Sequence, residues 1–424
     1  MISSLSHKVM IASMLGVLTY SAGCDRSASA SPSAGGKKML VLGCDGMDPK
    51  LLRKLMDAGR MPNFSKLAAA GTLAPLETSI PPQSPVAWSN FITGAGPGVH
   101  GIFDFIHRDP SKQVAPYFST NRITTTQTSE PWRIGKYQLP WAKSQNELLR
   151  RGTPFWDYLD ERGISAAMYR LPANYPPSLS KHGHMSSIGD MGVPDALGSY
   201  GTFQHFTTRP RVESKELEGM KMRLRRDRKT GGYVARLQGP TNEFKPRTPV
   251  MQMSVSVFPD DKNDVAKIIY ENPGLVSNET VELVLSVGEW SDWHDVIFQK
   301  SPVGPFFHTM ARFYLQRAHP DIDLYVTPLN FVPTSPEAVF SEPCDLCEEM
   351  GREIGPFYTK GFAEDYNARK QEIFTDAEYK EQALYVLQER MKILDYALNH
   401  FDNGLLFVYF STSDLMAHIF WWDS

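Results

Sequence analysis

Apolar and polar positions follow two rhythms along this chain. Residues 39–44, MLVLGC, form a continuous apolar run suited to a buried central strand. Asp48 and Pro49 then open DPKLLRKLMDAG, a helix pattern with Asp as cap, Pro in the first turn and Gly59 as the stop. MPNFSKLAAAG repeats that pattern, residues 85–93 predict another short helix, and FWDYLDERGISAAMYRLP reads as helix, Gly, strand. This succession predicts an α/β fold: a mostly parallel central sheet flanked by crossover helices.

Between 205 and 300 the pattern changes. Alternation in MQMSVSVF, VAKIIYE and TVELVLSVGEWSDW predicts an inserted β-rich domain covering or flanking the main sheet. RLRRDRKTGGY is basic and turn-rich. Acidic residues interrupt its flanks and no aromatic stacking platform accompanies it. The run therefore predicts a solvated hairpin face, and no nucleic-acid duplex binding is expected. The α/β pattern then resumes. Thr375 and Glu378 have capping-box spacing, and the helix they open places Tyr379, Ala383, Val386, Leu387, Leu394, Ala397 and Leu398 near one face. GLLFVYFS at 404–411 predicts a second buried strand, followed at once by Asp414-x-x-x-His418. The predicted organisation is a signal at 1–24, a flexible linker at 25–37, core at 38–204, β-rich insertion at 205–300 and further core at 301–424.

A length of 424 residues suggests two or three domains, and 42% hydrophobic with 21% charged residues is a globular composition. The formal net charge of -3 offers nothing to a nucleic acid, yet it does not exclude a phosphorylated substrate, because a metal can supply local positive charge. At the N-terminus, Lys8 and VMIASMLGVLTY, too short to span a bilayer comfortably, run into SAGC. Two readings stand: a signal of the lipoprotein type with Cys24 lipidated, and an ordinary signal peptide cut near Ala22 or Gly23. Both predict export to the periplasm or cell envelope, and the first adds a lipid anchor to the membrane. Cys44 reads as a buried strand thiol. Cys344 and Cys347 form one CxxC, too few ligands for a four-ligand zinc site but suited to a local disulfide in an oxidising compartment.

No GxGxxG follows a strand, and neither a GxxxxGK[ST] loop nor a GxSxG elbow occurs. What remains is carboxylate chemistry. Asp45 is the first polar residue after an apolar strand, and Asp414 lies just past another, where open α/β sheets place their sites. Asp414 and His418, four apart, share one side of a helical turn and could offer an oxygen and an imidazole to a divalent metal. The plainer reading is a capping aspartate and a packed histidine. Ser84, in PPQSPVAW, sits where a helix begins; it reads as an N-cap hydroxyl, or as a nucleophile beside helix amides that favour a phosphate.

Three blocks decide between these readings: VLGCDGMDPKLLRKLMDAGRMPNFSKLAAAG, TSIPPQSPVAWSNFITGAGPGVHGIFDF and GLLFVYFSTSDLMAHIFWW. In order and spacing they resemble the alkaline phosphatase superfamily, and within it the type I phosphodiesterase/nucleotide pyrophosphatase group. The resemblance implies metal-dependent hydrolysis of a phosphodiester or phosphomonoester on a small phosphorylated substrate, with two divalent ions, usually zinc. It makes Asp45 a ligand of one metal, Asp414 and His418 ligands of the other, and Ser84 the nucleophile, nine residues before Thr93 of the TG pair. Phe105 stands where nucleotide pyrophosphatases of the group carry an Asn that touches a phosphoryl oxygen. Nearby His107 and Arg108 are possible phosphate contacts. The chain has no DHG, and every histidine other than His418 precedes Asp414. The Asp-His pair and downstream His that complete the family's sites are therefore missing, and the expectation is a front portion of a longer enzyme, impaired by itself. A sulfatase reading is disfavoured because SPVAW lacks the Arg of the CxPxR-like motif. An exported binding protein on the same scaffold remains the alternative.

Overall fold

The computed structural model describes residues 36–108, 117–126, 132–139, 143–209, 214–216, 219–245, 250–260, 262–302 and 304–421. Its centre is a five-stranded sheet of β1 (Lys38–Cys44), β2 (Ala166–Leu171), β3 (Met185–Gly189), β4 (Ser341–Glu342) and β5 (Gly404–Phe410). The spatial order is β1-β5-β2-β3-β4; all pairings are parallel except that of β4 with β3. Around it lie α1 (Pro49–Asp57), α2 (Pro62–Ala70), α3 (Ser84–Thr93), α4 (Phe155–Asp160), α5 (Leu346–Ile354), α6 (Asp376–Asn399) and α7 (Thr412–Phe420).

Alternation along β5 sets the layers. Phe407 and Tyr409 face one side, packing with Ile92, Trp156 and Met168, and the Trp88 ring meets both edge-on at 5.8 and 5.2 Å. Leu406 and Val408 face the other side, in the cluster that includes Ile393, Tyr396 and Ala397 of α6. Each fully buried side chain of this size contributes about 1.5–3 kcal/mol, so a strand buried on both faces anchors the sheet. The predicted buried strand at 404–411 is thus present. The 39–44 run, expected at the centre, instead forms an edge. Among the described residues β1 pairs only with β5, and Met39, Leu40 and Leu42 are 59%, 47% and 49% exposed. Cys44 accordingly is half-buried rather than buried.

Local capping follows the sequence closely in places. Asp48 accepts from the Leu51 amide at 2.6 Å, and Gly59 takes a φ of +72° after α1. Thr375 and Glu378 form the reciprocal capping box of α6. Its buried face holds Tyr379, Ala383, Val386 and Ala397 as expected, but Leu398 is exposed. Arg390 takes an inward position because it pairs with buried Asp190, which Arg170 also holds at 2.8 Å. Cys347 is a free thiol on α5, buried in the main core, so no disulfide closes the CxxC.

The β-rich part is built of antiparallel hairpins. Strands Arg225–Arg226, Tyr233–Thr241, Val250–Pro259, Val265–Asn272 and Glu279–Ser286 form one meander, with further strands continuing past residue 300 to Phe331. RLRRDRKTGGY is a hairpin, with Arg226 opposite Tyr233. Cys24 and the signal region lie outside the described residues. Among the described residues no helix is long and apolar enough to cross a membrane.

Candidate active site

Because β1 and β5 are parallel neighbours in register, Cys44 lies beside Phe410, and the Asp45 amide continues the ladder by donating to the Phe410 carbonyl at 3.0 Å. The chain leaves β5 directly into α7. Asp414 therefore arrives beside Asp45 although the two lie at opposite ends of the chain. Gly46 makes this approach possible. Its φ is +62°, and a Cβ there would lie 2.6 Å from Asp414 Oδ1 and 2.8 Å from the Asp414 Cα. The Ser413 hydroxyl donates to the Asp45 carbonyl at 2.6 Å and ties the two turns together.

Asp45 is 8% exposed and carries partners on both carboxylate oxygens. The Tyr409 hydroxyl donates to Oδ2 at 2.7 Å. The Ser84 hydroxyl donates to Oδ1 at 3.3 Å. This corrects the N-cap reading of Ser84: Gln83 occupies the cap position, Ser84 is the first residue of α3, and its side chain makes no cap bond. The hydroxyl instead crosses to the carboxylate of another element. Pro85 in the first turn supplies no N–H, consistent with a helix start that needs no side-chain cap there.

Asp414 and His418 lie one turn apart on α7, with Nε2 and Oδ2 3.4 Å apart; the histidine is mostly exposed and the aspartate mostly buried. Burial, reinforced by the Asp45 and Glu364 carboxylates and opposed by His418, pushes the Asp414 carboxyl up to about 6. Burial, then the Asp45 charge, also pushes the Tyr409 phenol well above its ordinary range, so it stays a donor. Glu364 is buried and accepts from the Ser411 hydroxyl at 3.0 Å and from the Thr412 hydroxyl at 2.6 Å. It fixes the turn that delivers Asp414.

Asp45, Ser84, Asp414 and His418 thus occupy one end of the sheet. His107 and Arg108 are exposed, and the His107 ring packs 5.3 Å from that of Tyr117 rather than against the carboxylates. Phe105 packs against Phe118 and Phe362, at 6.4 and 6.0 Å. Sequence reasoning missed Tyr409, Ser413, Glu364 and the close approach at Gly46. The only signal available for Tyr409 was its place on the same strand face as Phe407.

The donor chemistry suits a divalent cation: carboxylate, hydroxyl and imidazole, with negative charge crowding Asp414. The donor number is short. Asp45 with Ser84, and Asp414 with His418, offer two protein donors each, and among the described residues no three His, Cys, Asp or Glu side chains converge to hold a metal ion.

A serine hydroxyl and paired carboxylates thus meet at the carboxyl ends of parallel strands of an α/β fold, where open α/β sheets place their sites. Residues 39–251, half of the chain, match the family described as Type I phosphodiesterase / nucleotide pyrophosphatase, and the chain belongs to that family. The assignment agrees with the alkaline phosphatase superfamily resemblance and gives the activity class as phosphodiesterase-type hydrolysis, generally supported by divalent metal ions, on small phosphorylated substrates. The matched stretch contains Asp45 and Ser84, whereas Asp414 and His418 lie beyond it. Comparisons with curated proteins and with solved structures gave no match.

Proposed function

We propose that this protein hydrolyses a phosphodiester or phosphomonoester with Ser84 as the nucleophile. The observation that carries the reading is the hydrogen bond from the Ser84 hydroxyl to Asp45 Oδ1, made in place of a helix cap. Ser84 Oγ attacks phosphorus, an Oγ–P bond forms, and the P–O bond to the leaving group breaks, the departing oxygen taking a proton from solvent. The hydroxyl proton departs along the hydrogen bond to Asp45, whose other oxygen is held by Tyr409. Water then cleaves the Oγ–P bond, releasing phosphate or its monoester and restoring the serine. The positive end of the α3 dipole lies at Ser84 and favours the phosphoryl charge.

Two divalent ions, zinc being the ion implied by the family resemblance, would be held by Asp45 with Ser84 and by Asp414 with His418, and would supply Lewis-acid stabilisation of phosphoryl oxygens. With two protein donors apiece, each ion would need further ligands. Export and a lipid anchor at Cys24 belong to the same proposal. They rest on the SAGC signal pattern.

The test compares hydrolysis of bis(p-nitrophenyl) phosphate and p-nitrophenyl phosphate with added zinc. Ser84→Ala should abolish turnover and leave the melting temperature unchanged; equal turnover in the variant would sink the proposal. The short donor set favours a second reading, a binding protein on a phosphatase scaffold. That protein would bind phosphate without turning either ester over.

A further inference from the structure

The basic run at 223–229 does more than decorate a hairpin. Its Arg223, Arg225 and Arg226 line a cleft of about 820 Å³ between the Gly219–Arg223 strand and the Arg225–Arg226/Tyr233–Thr241 hairpin. Lys221 and Arg223 are two apart on one strand and so share a face. Arg225 lies opposite Val234, and Arg236 is two residues on from Val234, so this pair is also on one face, as diagonal neighbours. With Arg226, five cationic side chains line one cleft. They do so in a chain whose formal net charge is -3.

Among the described residues little neutralises four of them, Lys221, Arg223, Arg226 and Arg236. The single lining carboxylate among the described residues, Asp227, is occupied within its own turn, accepting from the Lys229 amide at 3.0 Å and the Thr230 hydroxyl at 2.9 Å. Among the described residues Arg223, Arg226 and Arg236 pair with no carboxylate. Lys221 reaches only a backbone carbonyl, that of Gln371 at 3.5 Å. Packing so many like charges together is unfavourable unless a counter-charge enters. Arginine forks match phosphate oxygens in pairs, and adjacent phosphate groups on one ligand would engage several of these cations at once. Among the described residues the cleft has no aromatic lining residue, so it offers nucleobases no aromatic stacking platform.

We infer that this cleft is a binding site for a ligand carrying two or more neighbouring phosphate groups, separate from the Ser84 centre and independent of its activity. The chemistry is shared by soluble polyphosphorylated molecules and by phosphate-bearing lipid headgroups. The experiment has an arm for each source. Inorganic tripolyphosphate is titrated into the protein by calorimetry in physiological salt, and the protein is sedimented with phosphatidylcholine vesicles with and without a bisphosphorylated phosphoinositide.

The Arg223→Glu/Arg236→Glu variant should weaken tripolyphosphate binding roughly tenfold or more, the scale of losing charge-assisted bonds. Both positions are exposed, and an unchanged thermal melt verifies that the variant is folded. The Arg223→Lys/Arg236→Lys variant should fall between, keeping charge and losing the fork. Arginine-dependent sedimentation only with the bisphosphorylated phosphoinositide supports a lipid headgroup, and tripolyphosphate binding without vesicle binding supports a soluble ligand. Absence of binding in both arms, or binding undiminished in the Glu variant, would overturn the inference.

Discussion

Asp414→Asn should stabilise the metal-free protein, with a gain that grows from about pH 4 and is complete above about pH 6. In the folded protein the carboxyl titrates at about 6 against an ordinary 3.8, because burial and the Asp45 and Glu364 carboxylates disfavour its charge. A raised carboxyl pKa means that the native state holds the proton more tightly than the unfolded chain. Stability therefore falls as pH rises from about 4 to about 6 and stays lowered above it. Two units at 1.36 kcal/mol each set a ceiling of about 3 kcal/mol. The side chain is 19% exposed, so water screens part of the repulsion. The asparagine also gives up a favourable charge in the first turn of α7, about 0.3–1 kcal/mol. The net expectation is a gain of about 1–2 kcal/mol at pH 8 and none at pH 4. Urea unfolding at the two pH values, with EDTA present so that no cation neutralises the pair, measures it. Equal effects at both pH values, or destabilisation at pH 8, would refute the idea that charge crowding at Asp414 limits stability.

Three other substitutions probe the frame. Gly46→Ala places a methyl on Asp414 and forces a left-handed φ on alanine; it should cost about 2 kcal/mol or more by urea melts and should separate the two carboxylates, with loss of any Ser84-dependent turnover. Asp190→Ala leaves Arg170 and Arg390 buried without their shared partner and should cost about 3–5 kcal/mol, read as a drop in urea midpoint. Thr375→Ala removes one half of the α6 capping box and should cost about 1 kcal/mol by thermal melting.

Local signals made much of the fold legible. Asp48, Gly59, Thr375 and Glu378 act through neighbours a few residues away, so their roles can be read from spacing. The same holds for the strand at 404–410, whose burial on both faces matches its unbroken apolar run. Relations between distant segments were not legible. Nothing in MLVLGC tells that β5 lies on one side of it and that no described strand lies on the other. Nor could periodicity anticipate that Arg390 would turn inward to meet Asp190 while Leu398 stayed out. The site divides in the same way. Asp45, Ser84, Asp414 and His418 were identified as candidates from motif spacing. The reason Ser84 is not a cap, a carboxylate contributed by β1, became apparent only in three dimensions. Glu364, contributed from a loop with no periodic pattern, left no mark at all.

The central claim is that Ser84 forms a covalent bond to phosphorus with Asp45 as its partner. Acid quenching of the protein during turnover of bis(p-nitrophenyl) phosphate, followed by peptide mass spectrometry, tests this most directly. The account predicts a phosphoryl or nitrophenyl-phosphoryl adduct on the peptide containing Ser84, absent from Ser84→Ala and diminished in Asp45→Asn. Turnover with an unmodified Ser84 peptide, or an adduct that persists on another residue in Ser84→Ala, would contradict it.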